Sequence, residues 1–240
     1  MGRKETKKEG LLLDLHTHHS APQPGGIISL DATEMPEVSS LLPDQLYSVG
    51  IHPWSTMEDP GEEVWARLEE LAALPNVVAI GEAGIDMSGK GGPLFRQLLV
   101  FRRQVELSER LCKPMVIHDV KAHDVLTGCS RDLNPKQNWA IHGFRLKPQV
   151  AEMLLRAGFW LSFGAEFNHE TLRDMPEGRM LAETDESELG IADVIKRLSA
   201  VLDRDVTEEI GRNTRNFLRA AGSDCQSAVN KENNLITESI

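Results

Sequence analysis

Eight short apolar runs recur along the chain, and most are separated by segments with helical spacing. The runs are residues 11–15, 26–30, 46–51, 77–80, 114–117, 139–141, 159–163 and 180–182. Most are continuous rather than alternating, as strands are when both faces of a sheet are covered. Residues 61–74 put Val64, Leu68, Leu71 and Leu74 on one helical face, and residues 93–111 do the same with Leu98, Phe101, Val105 and Ser108. Further helices fit residues 121–127, 147–157, 187–202 and 206–220. Strand alternating with helix requires a parallel sheet, and eight strands favour closure into an α/β, TIM-type (β/α)8 barrel. Residues 19–25, HSAPQPG, are too short and too proline-rich for a helix. A loop should therefore replace the helix between strands 1 and 2, and residues 32–45 are poorly helical.

The expected organisation is a flexible leader over residues 1–10, one barrel over 11–220 and a polar, disordered tail over 221–240. No apolar run approaches the roughly 20 residues of a membrane helix. The charged start, MGRKETKKEG, enters the first run without a small-residue cleavage site, so no secretory signal is expected. Cys112, Cys129 and Cys225 are scattered and lack CxxC spacing. They argue for a reducing, cytoplasmic setting, against a disulfide framework and against thiolate zinc. Net charge is −11, which repels polyanions overall, although divalent cations would reverse the field inside an acidic pocket.

The strand ends carry the chemistry. In the first, DLHTHH, period two predicts that Asp14, His16 and His18 share the face at the barrel mouth, with His19 turned away. The third ends in GIHPW with His52, the fourth in GEAGID with Glu82 and Asp86, the fifth in IHD with His118. The sixth ends in IHGF with His142 and the eighth in ETD with Glu183 and Asp185. A buried imidazole or carboxylate costs several kcal/mol unless it is paired or metal-bound. One such residue reads as a hydrogen-bonded core group; six strand ends read as a metal centre. Imidazole and carboxylate without thiolate suit zinc, manganese, iron or cobalt, with magnesium also allowed, more than calcium. His16, His18, His118 and His142 with Glu82 and Asp185 exceed what one tetrahedral ion uses. Two divalent ions sharing a carboxylate fit better.

Several residues have a plainer reading. Gly81 and Gly84 could mark a tight strand-end turn. Asp185 could cap a helix opening at Ser187 and Glu188. Lys90, among Gly89, Gly91 and Gly92, reads as a solvated loop lysine over the mouth, with phosphate contact as the alternative. Strand 3 lies beside strand 4 but across from the histidines of strands 5 and 6, so His52 is expected to support the ligands from behind or to face substrate rather than hold metal. Arg145 and Lys147 could bring positive charge to the mouth.

LDLHTHHS, GIHPW, GEAGID, PMVIH, AIHGF, LSFG, AETD and IGRNTRNFL occur in an order and spacing that resemble the TatD-related hydrolases, over residues 11–219. That resemblance implies a TIM barrel, divalent metals and a metal-dependent deoxyribonuclease or phosphodiesterase. It implies one ion held by His16, His18, Glu82 and Asp185, and a second by Glu82, His118 and His142, with Glu82 as bridge. Asp185 would also orient and deprotonate the attacking water. From their own places near the mouth, His52, Arg145 and Lys121 are expected to face substrate. The chain departs from the family at Val120, where an arginine is common; Lys121 follows it. The expected substrate is DNA or a small phosphodiester, with no membrane partner, and a monomer is compatible with these residues. Three alternatives remain. A polymerase-and-histidinol-phosphatase-type phosphoesterase fits LDLHTHHS but not GEAGID or IGRNTRNFL. A small-molecule amidohydrolase often has a carboxylated lysine where this chain has Glu82. A non-catalytic metal-binding protein would have had no need to keep all six ligand-type residues.

Overall fold

The computed structural model describes residues 12–219. Eight strands form one parallel sheet in chain order: β1 (Asp14–Thr17), β2 (Gly26–Asp31), β3 (Leu46–Gly50), β4 (Val77–Asp86), β5 (Met115–Val120), β6 (Trp139–Ile141), β7 (Trp160–Phe163) and β8 (Met180–Ala182). The two edges meet just beyond β8. Thr17 bridges Asp185, the Asp185 N–H donates to the His16 carbonyl at 2.9 Å, and the His18 N–H donates to the Asp185 carbonyl at 3.1 Å. The expected barrel is what forms, and residues 18–25 are a loop, as expected. Helices α1 (Gly61–Ala72), α2 (Leu94–Leu111), α3 (His123–Leu133), α4 (Pro148–Arg156), α5 (His169–Arg173), α6 (Ile191–Leu202) and α7 (Thr207–Leu218) follow the later strands. No described helix is long and apolar enough to cross a membrane.

A small apolar cluster takes one buried residue from each of seven strands: Leu15, Ile27, Ala79, Val116, Ala140, Trp160 and Leu181, with Phe217 of α7. Val116, Ala140 and Leu181 lie two residues before His118, His142 and Glu183, so period two stacks the polar mouth on this apolar layer. A second, larger cluster packs the helices against the strands.

Several differences from the sequence reading stand out. β4 runs through GEAGID instead of stopping before it. Gly81 and Gly84 do not make a strand-end turn: a Cβ at Gly81 would lie 2.5 Å from the Val116 carbonyl oxygen, and one at Gly84 2.1 Å from that of His118. Only glycine lets β4 approach β5 this closely. Helix α6 starts at Ile191 with Gly190 as its N-cap, so Ser187 and Glu188 open no helix for Asp185 to cap. Helix α3 starts at His123, leaving Lys121 outside it with φ 57°. Helix α5, capped where Asn168 accepts from the Thr171 N–H, had no counterpart in the sequence pattern because it is one short turn. Cys129 is a free, buried thiol. The leader over 1–10, the tail over 221–240 and Cys225 lie outside the described residues.

Candidate active site

Glu82 projects from the middle of β4 into the mouth and is the hub of the site. Its side chain is 6% exposed, and its two oxygens face different imidazoles. Oε2 lies 3.2 Å from His16 Nε2 and 3.3 Å from His18 Nε2. Oε1 lies 2.5 Å from His118 Nδ1, 2.7 Å from His142 Nε2 and 3.0 Å from His52 Nε2. Asp185 Oδ1 sits beside the first group, 3.8 Å from His16 Nε2 and 3.7 Å from His18 Nε2. The seam that closes the barrel also sets these three residues, because His16, His18 and Asp185 share its backbone bonds.

Side chains behind the imidazoles orient them. His118 Nε2 lies 3.3 Å from Asp86 Oδ2, and His142 Nδ1 lies 3.5 Å from Glu183 Oε1, an atom that also accepts from the Gly143 N–H. Carboxylates in this position fix ring orientation and raise ligand basicity. Burial alone would raise the Asp86 carboxyl, but bonds from Ser88, Trp54 and His118 bring it down to about 2. Burial likewise opposes charge on Glu82 and His142. Their mutual attraction, with bonds from the neighbouring groups, outweighs it and holds Glu82 well below the carboxylate range and His142 well above the histidine range. The Glu82 bond raises His18 too.

Four groups of three ligand atoms lie within 4.8 Å of one another: His16, His18 and Asp185; His16, Glu82 and His142; His52, Glu82 and His118; His142, Glu183 and Asp185. Every residue expected to hold metal is in this set. The crowding of imidazoles on one carboxylate suits divalent cations, since without them the site must hold several protons in contact.

Two expectations need correction. Asp14 does not join His16 and His18. Three residues of β1 span two of β2 between Asp14 and Thr17, and this bulge breaks the period-two pattern. Asp14 is instead buried against β8, accepting from the Thr184 N–H at 2.9 Å and the Thr184 hydroxyl at 2.7 Å. His52 is not across the mouth from the strand-5 histidine: its Nε2 lies 3.2 Å from His118 Nδ1, because Glu82 draws both rings inward. His19 does turn away, toward the Ser187 carbonyl. Lys121 and Arg145 stand outside the cluster, lining a neighbouring cleft. Lys90 sits 4.3 Å above the Trp54 ring.

Trp54 was missed, although it directly follows His52 and Pro53 in GIHPW. It lines the pocket, donates from Nε1 to Asp86 at 2.5 Å and meets the His52 ring edge-on.

Burial pushes the Asp14 carboxyl from 3.8 up to about 6, against the Thr184 bonds. A carboxyl raised on folding costs stability once pH passes its unfolded value, and the cost is complete above its folded value. At about 1.4 kcal/mol per unit, the full cost is on the order of 2–3 kcal/mol. Asparagine keeps both contacts, with the Thr184 hydroxyl accepting and donating instead to Thr17. Metal-free Asp14→Asn should therefore be more stable than the parent above about pH 6, with the advantage fading as pH falls toward about 4. Denaturant unfolding with chelator present, repeated across that range, measures it; equal stability at high pH would mean the charge is not penalised.

The family described as TatD related DNase matches residues 27–189. The uncharacterized metal-dependent hydrolase YabD of Bacillus subtilis is 34% identical over 151 residues, covering 59% of this chain and 59% of that protein. A protein of Erwinia billingiae named 3'-5' ssDNA/RNA exonuclease TatD is 30% identical over 171 residues, covering 67% of this chain and 65% of its own. The match thus spans less than two thirds of each of these relatives. A solved TatD homologue from Escherichia coli superposes with a TM-score of 0.70 over 86% of this chain and 97% of that one, at 19% identity, a likeness of fold. With the matched segment running from the second strand past the eighth, the chain belongs to the TatD-related DNase family.

Proposed function

We propose that the chain is a two-metal phosphodiesterase acting on nucleic-acid ends or small nucleotidic esters. The observation that carries this reading is the division of labour at Glu82, with Oε2 toward His16 and His18 and Oε1 toward His118 and His142. A carboxylate so placed can bridge two ions. Relatives named as single-stranded DNA and RNA exonucleases support the nucleic-acid substrate.

His16, His18, Glu82 and Asp185 would hold one ion, and Glu82, His118 and His142 the other. Bound divalent ions would polarise a phosphoryl oxygen and lower the pKa of an attacking water from ~15.7 toward ~7. Asp185 is 40% exposed at the mouth, so it can orient that water and accept its proton. His52 has a different task. Its Nδ1 accepts from the Trp54 N–H, so the neutral ring presents Nε2–H to Glu82, a donor rather than a lone pair. It positions Glu82 instead of holding an ion. His52→Ala should lower turnover about tenfold or more while metal content stays near two ions per chain. Loss of one ion from that variant would make His52 a ligand.

The test of the whole reading is reconstitution. Protein stripped by chelator and reloaded with manganese, zinc or cobalt should take up two ions and hydrolyse single-stranded DNA and a chromogenic phosphodiester. Uptake should release protons and weaken as pH falls, because His18 and His142 must be deprotonated to bind. Turnover of phosphomonoesters alone would point to the phosphatase-type alternative, and turnover of neither to a different reaction.

A further inference from the structure

Trp54 lines the cleft at the cluster yet holds no ion and moves no proton in the proposed reaction. It is 44% exposed, so burial does not account for its fixed position. Two hydrogen bonds fix it, and each leads to an imidazole on the Oε1 side of Glu82. The Trp54 backbone N–H donates to His52 Nδ1 at 3.2 Å. The indole Nε1–H donates to Asp86 Oδ2 at 2.5 Å, and the same oxygen lies 3.3 Å from His118 Nε2.

The rest of Asp86 is held from other directions. It is the last residue of β4. Its N–H donates to Gln97 Oε1 at 2.7 Å, and Gln97 Nε2 donates to the Asp86 carbonyl at 2.9 Å and to the Gly92 carbonyl at 2.7 Å. Its Oδ1 accepts from the Ser88 N–H at 2.6 Å. These bonds fix the backbone and one carboxylate oxygen. Among the described residues, Oδ2 has only the Trp54 indole and His118 as partners. The short turn that carries Trp54, Pro53–Thr56, is tied to the loop after β4, where the Gly92 N–H donates to Thr56 Oγ1 at 3.2 Å. The indole therefore approaches Asp86 from a fixed base.

A carboxylate accepts and does not donate, so His118 Nε2 bears the hydrogen in this contact. His118 Nδ1, 2.5 Å from Glu82 Oε1, then keeps the lone pair that an ion needs. Asp86 is shared unequally, with a short bond to the indole and a longer one to the imidazole. The indole fixes the carboxylate, and the carboxylate orients the ring.

We propose that Trp54 is a positioning residue for the ion held by Glu82, His118 and His142. Its indole N–H acts through Asp86 on the tautomer and angle of His118, and its backbone N–H sets the tautomer of His52. A tryptophan that served only as a wall of the cleft would need its ring and not its N–H.

This inference rests on the two-ion reading, and the experiment separates the two. The full chain, stripped by chelator, is titrated with manganese by calorimetry, as the parent and as Trp54→Phe. The parent should take up two ions. Phenylalanine keeps an aromatic ring and the backbone N–H but loses the indole donor. Trp54→Phe should bind one ion as the parent does and the other about tenfold more weakly or worse. At limiting manganese its kcat on a chromogenic phosphodiester should fall with KM near parental, and excess manganese should restore it. Asp86→Ala should weaken the same ion, and Trp54→Phe added to it should weaken that ion no further, the signature of two residues acting in series. If Asp86→Ala does not fold, the Trp54→Phe titration decides alone. If Trp54→Phe binds both ions as tightly as the parent, the inference falls although the two-ion reading stands. Additive losses in the double variant would overturn the route through Asp86. If the parent takes up fewer than two ions, the reading beneath the inference falls and takes it along.

Discussion

Asp185→Asn is expected to lower phosphodiester turnover about 10²–10⁴-fold while the barrel stays folded, the usual worth of a general base. The substitution is nearly isosteric, and the backbone favours it. Asp185 has φ 51°, a region that asparagine tolerates better than almost any other side chain. The barrel seam uses the Asp185 N–H and carbonyl, not its carboxylate, so the bonds to His16 and His18 survive. The competing role, a helix cap, has no helix to serve, since α6 begins at Ile191. Stability should therefore change by no more than about 1 kcal/mol, because the side chain is 40% exposed and its carboxylate comes no closer than 3.7 Å to the His16 and His18 rings. The asparagine oxygen can still meet an ion, but the amide cannot take a proton from water. Turnover with metal in excess, measured beside the melting temperature, decides it. Near-parental turnover would mean that the base lies elsewhere.

Glu82→Gln should be more severe, abolishing uptake of at least one ion and lowering turnover at least about 10³-fold. Both carboxylate oxygens are engaged, and an amide has one oxygen to offer. Whichever way the amide turns, its NH₂ faces imidazole nitrogens within 3.3 Å, either His16 and His18 or His52, His118 and His142. The variant also removes the anion that five rings surround. In the metal-free protein this has a pH signature. Glu82 is depressed on folding, so its contribution is present above its unfolded value of 4.5 and lost below. His142 is raised, so its contribution is complete below its unfolded value of 6.5 and lost as pH climbs through the folded one. The destabilisation of Glu82→Gln should thus be greatest between those values and shrink at alkaline pH. Removing one partner of a buried pair typically costs about 3–5 kcal/mol. Unfolding curves with chelator, compared across pH, provide the measurement, with elemental analysis of the reloaded variant for its ions. A pH-independent difference, or two ions retained, would displace Glu82 from the centre of the site.

Local residue patterns were enough to establish the alternation of strand and helix, the missing helix between β1 and β2, and which strand ends bear imidazole or carboxylate. Those are local properties: hydrophobic period reports element type, and position within a strand reports distance from the mouth. Tertiary structure alone decided the rest. Asp14 shares the spacing of His16 and His18, but a bulge in β1 sends it to Thr184. His52 reads as distant from His118 along the sheet order, but the carboxylate between them brings both rings together. Asp185 precedes residues that read as a helix start, but Gly190 begins that helix later. Lys121 looks like the first residue of a helix and is instead a left-handed residue lining the neighbouring cleft. The placements of Asp14 and Asp185 depend on register and on closure of β1 against β8, which join residues about 170 positions apart. Local periodicity carries no information at that separation, because the bonds that fix it exist only once the barrel has closed.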